Sequence, residues 1–280
     1  MKKTLTSLAK RLARPLMRND AAWKAAQLLP NDEFFRHVRR SVIRKKARNK
    51  VLPLLEDRTV RQGPFAGLQY AETASVGSMI WPKLLGTYES ELQPFLNEIS
   101  HHDYRKVIDI GYAEGFYLIG LGRWFDQAEL VGFDLEPEAE RLCRGNADAN
   151  DIRPSRLKLY GGFDSKHFNA NLTDDSLVVI DCEGFEDQVI QGISPEQAAC
   201  ADWLIETHDH LVPGTTERIV AKLRSTHDVK LIDTDEDFQP KCRLLPESIH
   251  QQCDQEEKEA IVTEGRVEPQ SWVVATRRAA

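Results

Sequence analysis

Four short apolar runs in this 280-residue chain each stop at a carboxylate. VIDIG carries Asp109, LVGFD ends on Asp134, SLVVID on Asp181 and WLIE on Glu206. Apolar runs of that length read as buried strands. In an open parallel sheet, ligands bind beyond the carboxyl ends of the strands. The four acids are therefore expected around one crevice, where carboxylates can accept hydroxyl hydrogen bonds or take a proton.

The stretch VIDIGYAEGFYLIG, residues 107–120, places Gly111 and Gly115 between Asp109 and a helix. Gly111 allows a tight turn and close approach of a ligand, and the helix start beyond Gly115 offers unpaired backbone amides. A dinucleotide fingerprint needs GxGxxG so that pyrophosphate can sit on those amides. Here Ala113 holds the second glycine position and the spacing is GxxxG, which weighs against a nicotinamide-dependent oxidoreductase. S-adenosylmethionine needs no pyrophosphate cradle, and Asp109 can face its ammonium through water. Close packing of helix on strand would give the same two glycines. Asp134 lies nineteen residues beyond Gly115, where a carboxylate can accept both ribose hydroxyls of an adenosine ligand. Glu136 could serve the same end. The plainer reading of Asp134 is an acid capping the helix that Pro137 opens.

VVIDCEGFEDQVIQG, residues 178–192, delivers Asp181, Glu183 and Glu186 around Gly184, and the next apolar run ends in Glu206-Thr207-His208-Asp209-His210. These acids and histidines either converge or merely cap the following helices. His208 has the intrinsic pKa of a general base near neutral pH, with Glu183 or Asp181 to orient it or take its place. A divalent metal on Asp181, Glu183 and Glu206 has no motif of its own, so no metal is assigned.

IDIGYAEG, GFD, VVIDCEGFE and IETH together resemble the FkbM-type family of class I methyltransferases. Asp181-Cys182-Glu183-Gly184-Phe185-Glu186 fits that family's Asp-x-Glu-Gly-x-Glu motif, and PKLLGTYESEL, residues 82–92, resembles its Tyr-Glu element. The resemblance covers about residues 63–235. It departs at Tyr112-Ala113-Glu114, whose bulk narrows the methionine pocket without excluding the cofactor. It implies S-adenosylmethionine as cofactor, with Glu89, Asp109, Gly111, Gly115, Asp134, Asp164 and Asp181 around it. It also implies O-methylation of a hydroxyl on a sugar, glycan or related small molecule. His208, Glu183 and Asp181 are then the catalytic candidates. A domain kept only as an adenosyl-binding scaffold, with its basic arm as the working part, is the non-enzymatic alternative.

These residues need a scaffold that alternates strands and helices. Strands are expected at 106–111, 129–136, 156–160, 176–184, 202–210, 229–235 and 271–278, with amphipathic helices between most of them. That pattern implies a Rossmann-like, doubly wound, mainly parallel seven-stranded α/β sheet. GPFAGLQY suggests a short strand or turn, and ESELQPFLNEIS a helix. Residues 63–280 form the expected cofactor-binding domain. Within it, the polar, acidic stretch 236–268, with Pro240 and Pro246, is too long for an ordinary connection and reads as an insertion, a substrate lid or a disordered excursion.

Residues 1–62 read as a basic helical extension broken by Pro15, Pro30 and Pro53. The first 50 residues hold 15 Lys/Arg against 3 Asp/Glu, while the rest hold 22 against 41. Leu5, Leu8, Leu12 and Leu16 repeat at helical spacing among the basic residues. A solvated extension, a transit-peptide-like segment and peripheral contact with an anionic membrane through residues 1–50 all fit; nucleic-acid binding fits least. No apolar run approaches the roughly 18–20 residues that span a bilayer. Five cysteines without CxxC spacing argue against structural zinc and for reduced thiols, hence a cytoplasmic setting.

Overall fold

The computed structural model describes residues 10, 12–28, 33–234, 238–266 and 268–278. Leu5, Leu8, Pro30 and Asp235, which figure in the expectations above, lie outside the described residues. The chain gathers into two units: Met1–Asp57 with Phe238–Thr263, and Arg58–Asp237 with Glu264–Ala280. Among the described residues no helix is long and apolar enough to cross a membrane.

The first unit opens with helices α1 (Asp20–Ala26) and α2 (Glu33–Val51). The Asn19 side chain caps α1 by accepting from the amides of Ala21 and Ala22. Ala13, Met17, Ala26 and Val38 form a small core there, with Trp23, Phe34, Phe35 and Val42 packed against it.

The second unit opens with α3 (Ile80–Leu85) and α4 (Gln93–Ile99), then alternates strands with helices. Its strands are β1 (Lys106–Ile110), β2 (Glu129–Phe133), β3 (Leu157–Tyr160), β4 (Ser176–Ile180), β5 (Ala201–Thr207), β6 (His227–Asp233) and β7 (Ser271–Arg277). Between them run α5 (Phe116–Trp124), α6 (Pro137–Ala149), α7 (Ser165–Asn171), α8 (Glu186–Gln191), α9 (Pro195–Ala198) and α10 (Thr215–Leu223). The seven strands form one sheet in the order β3-β2-β1-β4-β5-β7-β6. Only β7 runs antiparallel, to β5 and to β6. This is the Rossmann-like doubly wound sheet that the sequence calls for.

Central strands read as continuous apolar runs because both their faces are covered. On one face Ile108, Ile110, Val178, Ile180 and Ile205 meet Val189 and Ile190 of α8 and Ile219 and Leu223 of α10. On the other, α5 lies against Leu130 so closely that a Cβ on Gly122 would stand 2.5 Å from its side chain.

Strand register decides where the acids end. Ile110 pairs with both Phe133 and Ile180, so β1, β2 and β4 stop level. The Asp181 amide donates to the Ile110 carbonyl at 2.9 Å, and the Gly111 amide to Phe133 at 2.8 Å.

The division into units and the excursion differ from expectation. The division falls at 57/58 rather than 62/63, because Val60, Phe65 and Leu68 are buried in a turn that the Thr59–Gln69 bridge closes. The excursion 236–268 is largely helical, with α11 (Phe238–Arg243), α12 (Glu247–Gln252) and α13 (Gln255–Val262), and its helices belong to the first unit. There α13 packs on α2, and the buried Glu257 carboxylate meets the ammonium groups of Lys46 and Lys50. Glu256 joins Asp20 on the Arg39 guanidinium. Part of the basic charge of the N-terminal segment is thus neutralised by the acidic excursion.

Candidate functional site

A cavity of about 760 Å³ opens at the carboxyl ends of the strands, with walls that include Asp109, Gly111, Asp134, Asp181 and Glu206. Its centre is the gap beyond β1 and β4, where the strand order reverses. Small-molecule sites run roughly 300–1,000 Å³. All lining residues lie in the second unit.

One wall is the glycine turn. Gly111 has φ +91°, and a Cβ there would stand 1.7 Å from the Asp181 carbonyl oxygen. Only glycine fits that crossing of β1 and β4. The carboxylate of Asp134 pins the turn by accepting the Ala113 amide at 2.8 Å with one oxygen and the Glu136 amide at 2.8 Å with the other. Ala113 is held at φ +49°. Glu114, behind the lining of this wall, is fully buried and accepts from Ser75 at 3.0 Å and from the Val76 amide at 3.1 Å. Its other oxygen pairs with Lys83 of α3. The bulk between the two glycines therefore ties the turn to residues 75–83. Tyr112 lines the cavity and packs on Gly132. Asp109 is buried beneath, and burial, with the charges of Asp181 and Asp134 adding to it, pushes its carboxyl well above the ordinary range.

The opposite wall is acidic. Asp181 and Glu183 follow β4, and Glu206 is the last residue but one of β5. His208 sits behind them, wholly inaccessible to solvent. Its Nδ1 lies 2.9 Å from Glu186 Oε1, and that oxygen also accepts the amides of Gly184 at 2.9 Å and Cys182 at 3.3 Å. Its Nε2 faces Glu183 Oε2 at 3.6 Å, Asp181 Oδ1 at 3.8 Å and Glu206 Oε2 at 3.8 Å. Burial pulls the His208 imidazole down, but the Glu186 hydrogen bond and the charges of Asp181, Glu186 and Glu183 outweigh it and leave the pKa raised. Burial pushes Glu186 up, but the His208 contact and the Gly184 amide outweigh that and hold it low. Burial, reinforced by Asp181 and Glu89, pushes Glu206 well above the ordinary range. Glu183 has φ +54°. A side chain in the left-handed region costs about 1–2 kcal/mol, and such strain gathers at functional sites.

A third group closes the far side. Arg266 donates to Glu89 at 2.6 Å and to Glu264 at 3.0 Å, and also pairs with Glu206 and Gln270. The Tyr117 hydroxyl donates to the other Glu89 oxygen. Glu89 is buried at φ +45°, and burial pushes its carboxyl up to about 7 against the opposing pull of Arg266.

No protein-family model matches the chain, and no curated protein matches it in sequence. Solved structures are similar at low identity. A precorrin-6y C5,15-methyltransferase from Geobacter metallireducens is 13% identical over 68% of this chain and 88% of its own, with a TM-score of 0.45. An O-methyltransferase family protein from Burkholderia thailandensis is 15% identical over 72% of this chain and 60% of its own, with a TM-score of 0.39. TrmN from Thermus thermophilus is 12% identical over 70% of this chain and 51% of its own, with a TM-score of 0.42. Likeness at these scores bears on neither activity nor substrate.

Of the residues expected at the cofactor, Asp109, Gly111, Asp134 and Asp181 line the cavity. Gly115 stands one step back, at φ +89°, where a Cβ would meet Cys143 Sγ at 2.8 Å. Glu89 acts on the cavity through Arg266 rather than facing it. Asp164 lies outside the lining and caps α7, accepting the His167 amide at 2.8 Å. Among the catalytic candidates Asp181 and Glu183 face the cavity, and His208 backs them. Lys83, Glu264, Arg266 and Gln270 escape the sequence reading. Lys83 stands inside PKLLG with nothing to mark it, and the other three follow the excursion without any motif.

Proposed function

We propose that this protein is an S-adenosylmethionine-dependent methyltransferase that O-methylates a hydroxyl of a sugar, glycan or related small molecule. The observation that carries the reading is one cavity with two unlike walls. A glycine turn pinned by a strand-end carboxylate stands opposite a buried cluster of acids and a histidine. The residues fit the cofactor. Gly111 keeps the turn free of side-chain bulk, Ile110 and Phe133 offer apolar contact, and each Asp134 oxygen keeps a lone pair for a ribose hydroxyl. When bound, the cofactor supplies a methyl group on a sulfonium. The chain then has to align the acceptor, exclude water and remove the hydroxyl proton. Asp181 and Glu183 face the cavity for that last task, with His208 behind them. The match of Asp181 to Glu186 with the FkbM-type motif supports the hydroxyl as acceptor.

Calorimetry with S-adenosylhomocysteine and, separately, NAD tests the cofactor. Binding of the first and not the second is expected, and the reverse sinks the reading. Labelled cofactor and a panel of carbohydrate, lipid-glycan and phenolic acceptors then test the chemistry. Cofactor binding with no turnover on any acceptor favours the scaffold alternative.

A second reading concerns the N-terminal segment. Leu12, Leu16 and Leu28 are exposed beside the exposed Arg14, Arg18 and Lys24, which suits peripheral contact with an anionic membrane at about 1 kcal/mol per basic residue. The full chain should sediment with anionic vesicles at low salt, and Leu12→Glu with Leu16→Glu should abolish it. These point changes leave the packing of α13 on α2 in place.

A further inference from the structure

We propose that Asp181, Glu206 and His208 bind a divalent transition-metal ion, with Glu183 close by as a free carboxylate. One ligand atom from each of Asp181, Glu206 and His208 lies within 4.8 Å of the others. The His208 Nε2 distances to the acid oxygens are 3.6–3.8 Å. Two ligand atoms each about 2.1 Å from one ion stand about 3.0 Å apart at a right angle and about 4.2 Å apart when opposite. The three His208 distances fall within that span.

The independent sign is an unmet need. His208 Nε2 is wholly buried and has no hydrogen-bond partner, an arrangement that folded chains rarely tolerate. A proton on Nε2 would not meet it. An N–H between an imidazolium and a carboxylate draws the heavy atoms to about 2.7–2.9 Å, and here three oxygens hang back beyond hydrogen-bond reach. The other ring nitrogen fixes the tautomer. Glu186 Oε1 accepts two backbone amides and stands 2.9 Å from Nδ1, so Nδ1 carries the proton and Nε2 presents its lone pair. A carboxylate behind a histidine, turning its free nitrogen toward a cation, is the usual outer support of a metal ligand. Glu206 is aimed in the same way, since Arg266 holds Oε1 and leaves Oε2 toward His208. One imidazole among carboxylates suits manganese, iron, cobalt or zinc better than magnesium or calcium.

Its role rests on the methyl-transfer reading. An ion on the acidic wall lowers the pKa of a bound acceptor hydroxyl. The O–H bond breaks with the proton passing to Glu183, whose side chain is 71% exposed. The oxygen pair then forms the C–O bond as the carbon–sulfur bond of the cofactor breaks, leaving the methyl ether and S-adenosylhomocysteine. His208 is then a ligand rather than the base.

The full chain, stripped with chelator, is titrated with Mn²⁺ while the free-ion paramagnetic resonance signal is followed. One ion per chain is expected. Asp181→Asn and His208→Gln should each weaken binding at least about 10-fold, and Glu186→Gln, which touches no ion, about 10–100-fold. Asp164→Asn, outside the cluster, should leave Mn²⁺ binding unchanged. Circular dichroism of each variant checks folding, and Asp181→Asn, at a partly exposed position, carries the test if His208→Gln does not fold. Binding well below one ion per chain, or affinity unchanged from the unaltered chain in folded Asp181→Asn and Glu186→Gln variants, overturns the site. S-adenosylhomocysteine titrations on the same samples keep the two ideas apart. Homocysteine-ligand binding without Mn²⁺ binding sinks the ion alone, and Mn²⁺ binding without it sinks the methyl-transfer role alone.

Discussion

On the glycine-turn wall of the cavity the acids already have partners: Asp134 accepts two backbone amides, and Glu114 is met by Ser75, Val76 and Lys83. On the β4–β5 wall, Asp181 Oδ1, Glu186 Oε2 and His208 Nε2 are buried without hydrogen-bond partners. A wall whose groups are satisfied is set in shape before any ligand arrives, which is what a binding surface needs. A wall with unmet polar atoms is costly, at about 1–3 kcal/mol for each buried group. It persists where a ligand, proton or ion completes it. The difference separates holding from reacting within one cavity.

The sharpest way to break this division is His208→Ala. If the acidic wall serves chemistry, turnover should fall roughly 10²–10⁴-fold, while S-adenosylhomocysteine affinity measured by calorimetry stays within about twofold. Equal losses in both would make the wall a binding surface and end the comparison. The pH profile adds a second check. The raised pKa of His208 places the rise of turnover with pH above the ordinary imidazole value, because the ring has to lose its extra proton before the wall can act.

Asp134→Ala tests the other wall. Losing hydrogen bonds from a charged acceptor should weaken S-adenosylhomocysteine by about 1.5–3 kcal/mol, with turnover at saturating cofactor little changed. Because Asp134 also pins the Ala113 and Glu136 amides, part of that loss should come from disorder of the turn. Asp134→Asn keeps one acceptor oxygen and should recover part of the affinity. Unchanged affinity in both variants removes Asp134 from the site.

How much of this was legible depended on sequence distance. The strand-end acids could be read because a strand buried on both faces is a local, continuous apolar run, and Asp109, Asp134, Asp181 and Glu206 sit at or beside its end. The pairing of His208 with Glu186 follows from β4 and β5 being neighbours, a consequence of sheet order. Arg266 had no local sign at all, because its partners Glu89 and Glu206 lie 177 and 60 residues away. The helices α11–α13 escaped for another reason. At six to eight residues each they are too short to be stable by propensity and owe their form to packing such as that of α13 on α2. Asp164, four residues beyond β3, is seen as the cap of α7.

The smallest expected effect on binding and turnover concerns Glu89, which tethers Arg266 behind the reacting wall and should touch stability more than chemistry. Burial raises its carboxyl from 4.5 to about 7, so the folded chain holds this proton more tightly than the unfolded one. For a group with a raised folded pKa, the stabilising contribution is complete below 4.5 and disappears as pH climbs through 7. Glu89→Gln carries no titrating proton and still presents an oxygen to Arg266 and Tyr117. Melting temperature followed from pH 4.5 to 7.5 should therefore fall less steeply with pH in the variant. The difference across the window should be up to about 3 kcal/mol, or roughly 6–12 °C. Identical slopes would mean that Arg266 keeps Glu89 ionised throughout. Turnover would then depend on Glu89 as a fixed counter-charge, and the line between a holding wall and a reacting one would have to be drawn on the far side of Arg266.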